Sequence, residues 1–202
     1  MSTISSSAPV ISRASTSQRS HVATILSSAF KDDPIFSWIL PDADRRAKLL
    51  QPFFEVFAEA FIPHDATFVT ESSAALWAPV GVSVPAEDQA EQFVTTLLEL
   101  CGPDAARGEA VIGTIDSHHP HDPAAYLQFV GVEASRQGQG LGSAVMAPML
   151  TACDRDGVAA FLVATSERSA KLYERHGFGV IEVLRVEDCP PMWNMWREPR
   201  NR

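Results

Sequence analysis

The residues with the clearest chemical potential in this sequence are three glycines in alternation, Gly138, Gly140 and Gly142. They sit inside the stretch YLQFVGVEASRQGQGLGSAVMAPMLTA, residues 126–152. Residues 126–132 are an apolar, β-branched and aromatic run, which predicts a strand. After a polar link at 133–137, apolar residues return at helical spacing: Leu141, Val145, Met149, Leu150 and Cys153. A strand therefore feeds a glycine-rich turn that opens a helix. The first N–H groups of a helix lack partners and its N-terminus carries partial positive charge. Glycines remove the Cβ atoms that would hold a ligand away from those N–H groups. The chemistry implied is anion binding, with phosphate the leading ligand. A P-loop is excluded, because no Lys lies between Gly138 and Cys153. A dinucleotide fingerprint fits poorly, because the spacing is G-x-G-x-G and five residues separate Val132 from Gly138.

Gln137-x-x-Gly140-x-Gly142 resembles the Q/R-x-x-G-x-G/A motif of the GCN5-related N-acetyltransferases (GNAT), where it binds the pyrophosphate of acetyl-coenzyme A. Leu172-Tyr173-Glu174-Arg175-His176-Gly177-Phe178 is similar to that family's LYE-x-x-GF segment and follows at a suitable distance. The resemblance is clear from Tyr126 to Trp196, about a third of the 202 residues. Within the family it looks most like the branch of puromycin N-acetyltransferase and its relatives.

The resemblance implies an α/β (α+β) GNAT fold. That fold is a mixed, mostly antiparallel central sheet of six to seven strands with helices on both faces, splayed at its two central parallel strands. Those two would be the strands at 126–132 and 158–164, with the pantetheine arm of the cofactor in the gap. The main chain of Phe129, Val130, Gly131 and Val132 would hold the arm. Gln137, Gly138, Gln139, Gly140, Leu141, Gly142 and Ser143 would cradle the pyrophosphate, and Ser169 stands where relatives often carry an Asn against the arm. Tyr173 is the expected general acid for the departing thiolate. An amine must also lose a proton before it attacks a thioester. His121, and Gln128 through a water, are the expected bases, with His118, His119 and Glu71 as further candidates, His being the side chain that changes charge near neutral pH. Trp38 and Trp77 read as core residues before pocket residues.

The activity implied is direct transfer of an acetyl group from acetyl-coenzyme A to a primary amine of a small molecule, a drug-like or metabolite amine. The alternatives are a peptide or protein amine as acceptor, or a coenzyme A-binding sensor without turnover. A homodimer is left open.

Composition sets the outer bounds. The net charge of −9 and pI near 5.1 argue against nucleic acid and anionic membranes as partners. No apolar run reaches the length of a membrane span. The Ser/Thr-rich start lacks the apolar region of a secretory signal. Cys101, Cys153 and Cys189 show no metal or disulfide spacing, so no metal is expected and a reducing cytoplasm is the simplest setting.

Residues 1–8 are expected as a disordered tail and 9–202 as a single domain. The elements read as a strand within 9–14, a helix to Phe30 ended by Asp32-Asp33-Pro34, and a short apolar segment at 35–40. A helix capped by Asp42 and bent at Pro52 follows, then a hairpin at 66–79 and a helix at 85–100. Residues 104–117 are helical or mixed. The central strand and its helix come next, with a bend at Pro148, then a strand at 158–164, a helix at 167–176, and strands at 178–186 and 192–196.

Overall fold

The computed structural model describes residues 9–200, so the tail expected at residues 1–8 lies outside the described residues. Seven strands form one sheet: β1 (Ser12–Arg13), β2 (Thr67–Val69), β3 (Ser73–Ala78), β4 (Ala124–Val132), β5 (Ala159–Ala164), β6 (Gly179–Leu184) and β7 (Met192–Arg197). Their order is β1-β2-β3-β4-β5-β7-β6. Only β4 and β5 run parallel; every other neighbouring pair is antiparallel. Helices α1 (Arg19–Phe30), α2 (Pro34–Ile39), α3 (Ala43–Phe61), α4 (Ala90–Cys101) and α5 (Ala105–Ser117) cover the front face. Helices α6 (Leu141–Asp156) and α7 (Glu167–Arg175) cover the back.

The period-two alternation of the strands divides the core between these layers. Ala74, Leu76 and Ala78 of β3 pack with α1 and α3, whereas Ala75 and Trp77 pack with α6. The front cluster is rich in rings: Phe54 and Phe57 of α3 both meet Phe129 edge-on, at 5.1 and 4.8 Å between centroids. Such contacts are what the apolar spacing along α3 provides. α1 seats directly on β4 at Gly131, where a Cβ would stand 2.8 Å from the Ala29 Cβ.

Two features of β4 position the site. The β3–β4 register slips between Leu76, which faces Phe129, and Trp77, which faces Leu127. Gln128 is thus the extra residue of a bulge, a device that re-aims side chains beside functional sites. The β4–β5 pairing also ends at Leu127 and Leu162, although β4 continues to Val132 and β5 to Ala164. The two strands part at the bulge, which is the splay expected of the fold.

One helix exceeds the expected set, and the stretch expected as helical or mixed is a helix. α2 forms where only an apolar segment was read: Asp33 caps it, accepting from the N–H groups of Ile35 and Phe36, and Pro34 occupies its first turn. The buried guanidinium of Arg46 donates to the carbonyls of Lys31 and Leu40, tying both ends of this segment to α3. α5 is a full helix over 105–117. Pro52 and Pro148 lie inside α3 and α6 without ending either helix.

Candidate active site

The mouth of α6 is built from the glycine turn. Gly138 and Gly140 adopt positive φ, 77° and 79°, a conformation open to glycine and strained for other residues. Gly140 is the N-cap, and no side chain caps the helix. A Cβ added at either glycine would meet no atom within 4 Å, so the cradle faces open space. Gln137 donates through its side-chain amide to the Val132 carbonyl at 3.3 Å, fastening the turn to the end of β4. Ser143, in the first turn of α6, bonds to His176 Nε2 at 2.8 Å. The two motifs singled out in the sequence are therefore held together by this contact. His176 is half-buried, and burial first, then Arg175, Arg200 and Arg197, push its pKa below the ordinary histidine value.

Beyond Leu127 the β4 main chain has no partner on its β5 side. Titratable groups lie on both faces of the sheet near this opening. From the front comes Asp33, whose second carboxylate oxygen accepts from the Thr165 hydroxyl at 2.6 Å, just past the end of β5. Burial drives the Asp33 pKa above the usual carboxylate value, and its hydrogen bonds from Thr165, Phe36 and Ile35 offset this only in part. From the back comes Tyr173 on α7, packed beside Phe178 in the core. Burial raises its pKa well above that of a free phenol, with the nearby Asp33 carboxylate as the second cause. The Tyr173 phenol is therefore neutral at physiological pH.

A cavity of about 350 Å³ opens from this gap under the front helices. Gln128, Phe129, Val163 and Thr165 line it at the gap, and α3, α4 and α5 supply most of its remaining wall. Tyr126 and His119 also line it. Tyr126 stacks on Phe161, and the His119 ring stands edge-on to both. His119 is placed by two bonds: Asn194 Nδ2 donates to the His118 carbonyl, and His119 Nδ1 lies 3.1 Å from the Pro120 carbonyl.

Several expected residues fall elsewhere. His121 is exposed and does not line the cavity, so among the three histidines the one brought to it is His119. His118 contacts the Thr114 carbonyl and Glu182, and Glu71 is exposed at the β2–β3 turn. Ser169 uses its hydroxyl in the capping box of α7 with Ser166, because its position is the third of that helix. Trp77 is fully buried in the back core and Trp38 donates to Asp188; neither lines the cavity. The residue missed is Asp33. Its signal was an acidic N-cap directly before a proline, the pattern of a helix start.

Sheet order, splayed parallel pair and open helix mouth together define the acyltransferase class that the motifs implied. Residues 50–178 match the acetyltransferase (GNAT) family, well over half of the 202 residues, and the chain belongs to that family of N-acetyltransferases. Among solved structures, a Corynebacterium glutamicum protein named as histone acetyltransferase HPA2 and related acetyltransferase is 26% identical. The match covers 97% of this chain and 99% of that one, with a TM-score of 0.71. Arylalkylamine N-acetyltransferase 2 from Aedes aegypti is 10% identical over 95% of this chain and 99% of its own, with a TM-score of 0.66. The Drosophila melanogaster polyamine N-acetyltransferase is 14% identical over 95% and 100%, with a TM-score of 0.57. The last two share the fold. The finer likeness to puromycin N-acetyltransferase rests on the motif residues alone. No helix among the described residues is long and apolar enough to cross a membrane.

Proposed function

We propose that this protein transfers an acetyl group from acetyl-coenzyme A directly to the primary amine of a small molecule. One observation carries the reading: the strands part between an uncapped, glycine-lined helix mouth and a cavity lined by Thr165, which donates to the buried Asp33. The residues present fit the cofactor. The α6 mouth from Gln137 to Ser143 has the free N–H groups and clear space for a diphosphate. The β4 main chain from Phe129 to Val132, open on its β5 side, is suited to a pantetheine arm. When bound, acetyl-coenzyme A supplies the acyl group as a thioester.

The chain's own groups account for the protons. A protonated amine that becomes an amide nitrogen loses two. One passes through the Thr165 hydroxyl to Asp33, whose raised pKa makes it the stronger base, and then to solvent. The other leaves on the departing thiol, for which Tyr173 is the donor. A phenol this weakly acidic acts first as a hydrogen-bond donor and releases its proton only as another replaces it. Gln128, turned toward the cavity by the bulge, orients a water beside the amine. An N–H of β4 on its open β5 side faces the carbonyl oxygen as charge develops there. Neighbours named for arylalkylamine and polyamine acceptors support a small amine.

A thiol-release assay with acetyl-coenzyme A and a panel of amines tests this. Tyr173→Phe is expected to lower kcat about 10²-fold while leaving coenzyme A affinity unchanged. Unchanged turnover would remove Tyr173 from the mechanism. Binding without turnover of any amine would leave a sensor module, and equal displacement by ATP would point to a general nucleotide site.

A further inference from the structure

We infer that the acceptor carries its amine on a single apolar body, an alkyl or aryl group, with no second charge at the far end. The inference rests on the proposed transfer reaction and concerns what fills the cavity beside it. The cavity has a volume of about 350 Å³. Much of its lining is carbon: Phe57 of α3, Phe93, Val94 and Leu97 of α4, and Val111 and Ile112 of α5. The polar side chains on its lining are confined elsewhere. Gln128 and Thr165 stand at the strand gap, and Tyr126 stands on the sheet. Asp116 and His119 are exposed, so they mark an end open to solvent.

This distribution sorts the acceptor classes. An amine whose nitrogen meets Thr165 and Asp33 at the gap sends the rest of the molecule beneath α4 and α5. An alkyl or aryl group there leaves water for carbon, which is favourable in proportion to the area buried. A diamine or a guanidinium-bearing amine would put a second cation against Phe93, Leu97 and Ile112, because the one carboxylate on the lining, Asp116, stands at the exposed end. A peptide segment would bury amide groups with no partners. The name of the Corynebacterium glutamicum relative mentions histones and that of the Drosophila melanogaster one polyamines; the carbon wall of this chain favours neither.

The test is a ranking of kcat/KM for n-propylamine through n-octylamine and 2-phenylethylamine, set against 1,5-diaminopentane, agmatine and a short peptide with a free N-terminus. Within the alkyl series kcat/KM is expected to rise about fourfold per methylene until the cavity is full. 1,5-Diaminopentane is expected to fall about 10²-fold below n-hexylamine. Calorimetric binding of the same amines to the protein with coenzyme A, where no transfer occurs, is expected to give the same order. Val94→Asp, at a half-exposed position of α4, is expected to narrow the gap between n-hexylamine and 1,5-diaminopentane at least tenfold.

A flat alkyl series, or a diamine or peptide that equals the monoamines, overturns the inference while the transfer reaction stands. Apolar amines that bind in the expected order without being acetylated overturn the transfer reaction and leave the cavity assignment intact. An unchanged ratio in folded Val94→Asp also counts against the inference, because it would place the far end of the acceptor away from α4.

Discussion

Two aspartates on opposite faces of the sheet have opposite electrostatics. On the front, Asp33 is desolvated and its pKa is raised; the groups that oppose the rise are a hydroxyl and two main-chain N–H groups, with no cation among them. On the back, Asp154 of α6 has its pKa lowered, first by its hydrogen bond from Arg197. Arg197 is 3% exposed and lies 2.7 Å from that carboxylate, while its Nε donates to the His176 carbonyl. The consequences for stability have opposite signs. Asp33 binds a proton more readily folded than unfolded, so its ionisation costs stability above its raised pKa, and the cost disappears as pH falls. Asp154 contributes stability that is present above the unfolded carboxylate value and lost as pH falls through its lowered pKa. A carboxylate beside a buried cation closes a structure. A carboxylate buried beside a hydroxyl, without a cation, is held ready to take a proton.

The contrast is sharpest under substitution by Asn, which keeps the shape and removes the charge. Asp33→Asn is expected to lower kcat about 10³-fold and to flatten the acidic limb of the pH–rate profile. Melting temperature at neutral pH should hold or rise slightly, because Asn caps a helix about as well as Asp and a desolvated charge is gone. Steady-state kinetics across pH with parallel thermal melts measures both. Full turnover in this variant would end the assignment of Asp33 as base and return the role to His119 or a Gln128-bound water.

Asp154→Asn should behave in the reverse way. It leaves the buried Arg197 without its counter-charge, at a cost of about 3 kcal/mol, the low end because Asp154 is 24% exposed. For a chain of this size that corresponds to a fall in melting temperature of roughly 6–12 °C. Turnover per folded molecule at 25 °C should be kept. A variant that melts normally but fails to turn over would show that the Arg197–His176–Ser143 chain of contacts serves the cofactor mouth more than the fold.

The same division explains what was legible in the sequence. The back half was readable because its determinants are contiguous: the glycine turn, the helix it opens and the Tyr173 segment each lie within a few residues. On the front the helices α1, α3 and α4 were legible but the cavity was not, because it is assembled from α2, α3, α4, α5 and the sheet, which only the fold brings together. α2 is too short for helical periodicity to show, and Asp33-Pro34 was read as the end of α1 when it also begins α2. α5 carries Gly108 and Gly113, which weaken a helical reading. The bulge at Gln128 depends on the register of β3, which no pattern within β4 reveals. The choice of His119 over His121 depends on the packing of its ring against Tyr126 and Phe161. Ser169 was read through its relatives' Asn, whereas its own neighbourhood, with Ser166 three residues before it, is a capping box.

The smallest expected effects separate two glycines of the expected cofactor site, one on the strand and one at the helix mouth. Gly131 faces the front, where an added Cβ would meet Ala29 Cβ at 2.8 Å and Leu26 Cδ2 at 2.9 Å. Gly131→Ala therefore overpacks the α1–β4 contact and should cost about 1–3 kcal/mol of stability, with coenzyme A affinity in the folded protein little changed. Gly140 has open space around it, and its requirement is the positive φ of 79°. Gly140→Ala should cost about 1 kcal/mol in backbone strain and put a methyl group into the helix mouth. Its loss of coenzyme A binding, measured by calorimetry, should then exceed its loss of stability when both are expressed as free energies. If Gly131→Ala weakened binding more than Gly140→Ala did, the diphosphate would have to sit nearer the strand than the mouth of α6, and the glycines there would owe their identity to the turn alone.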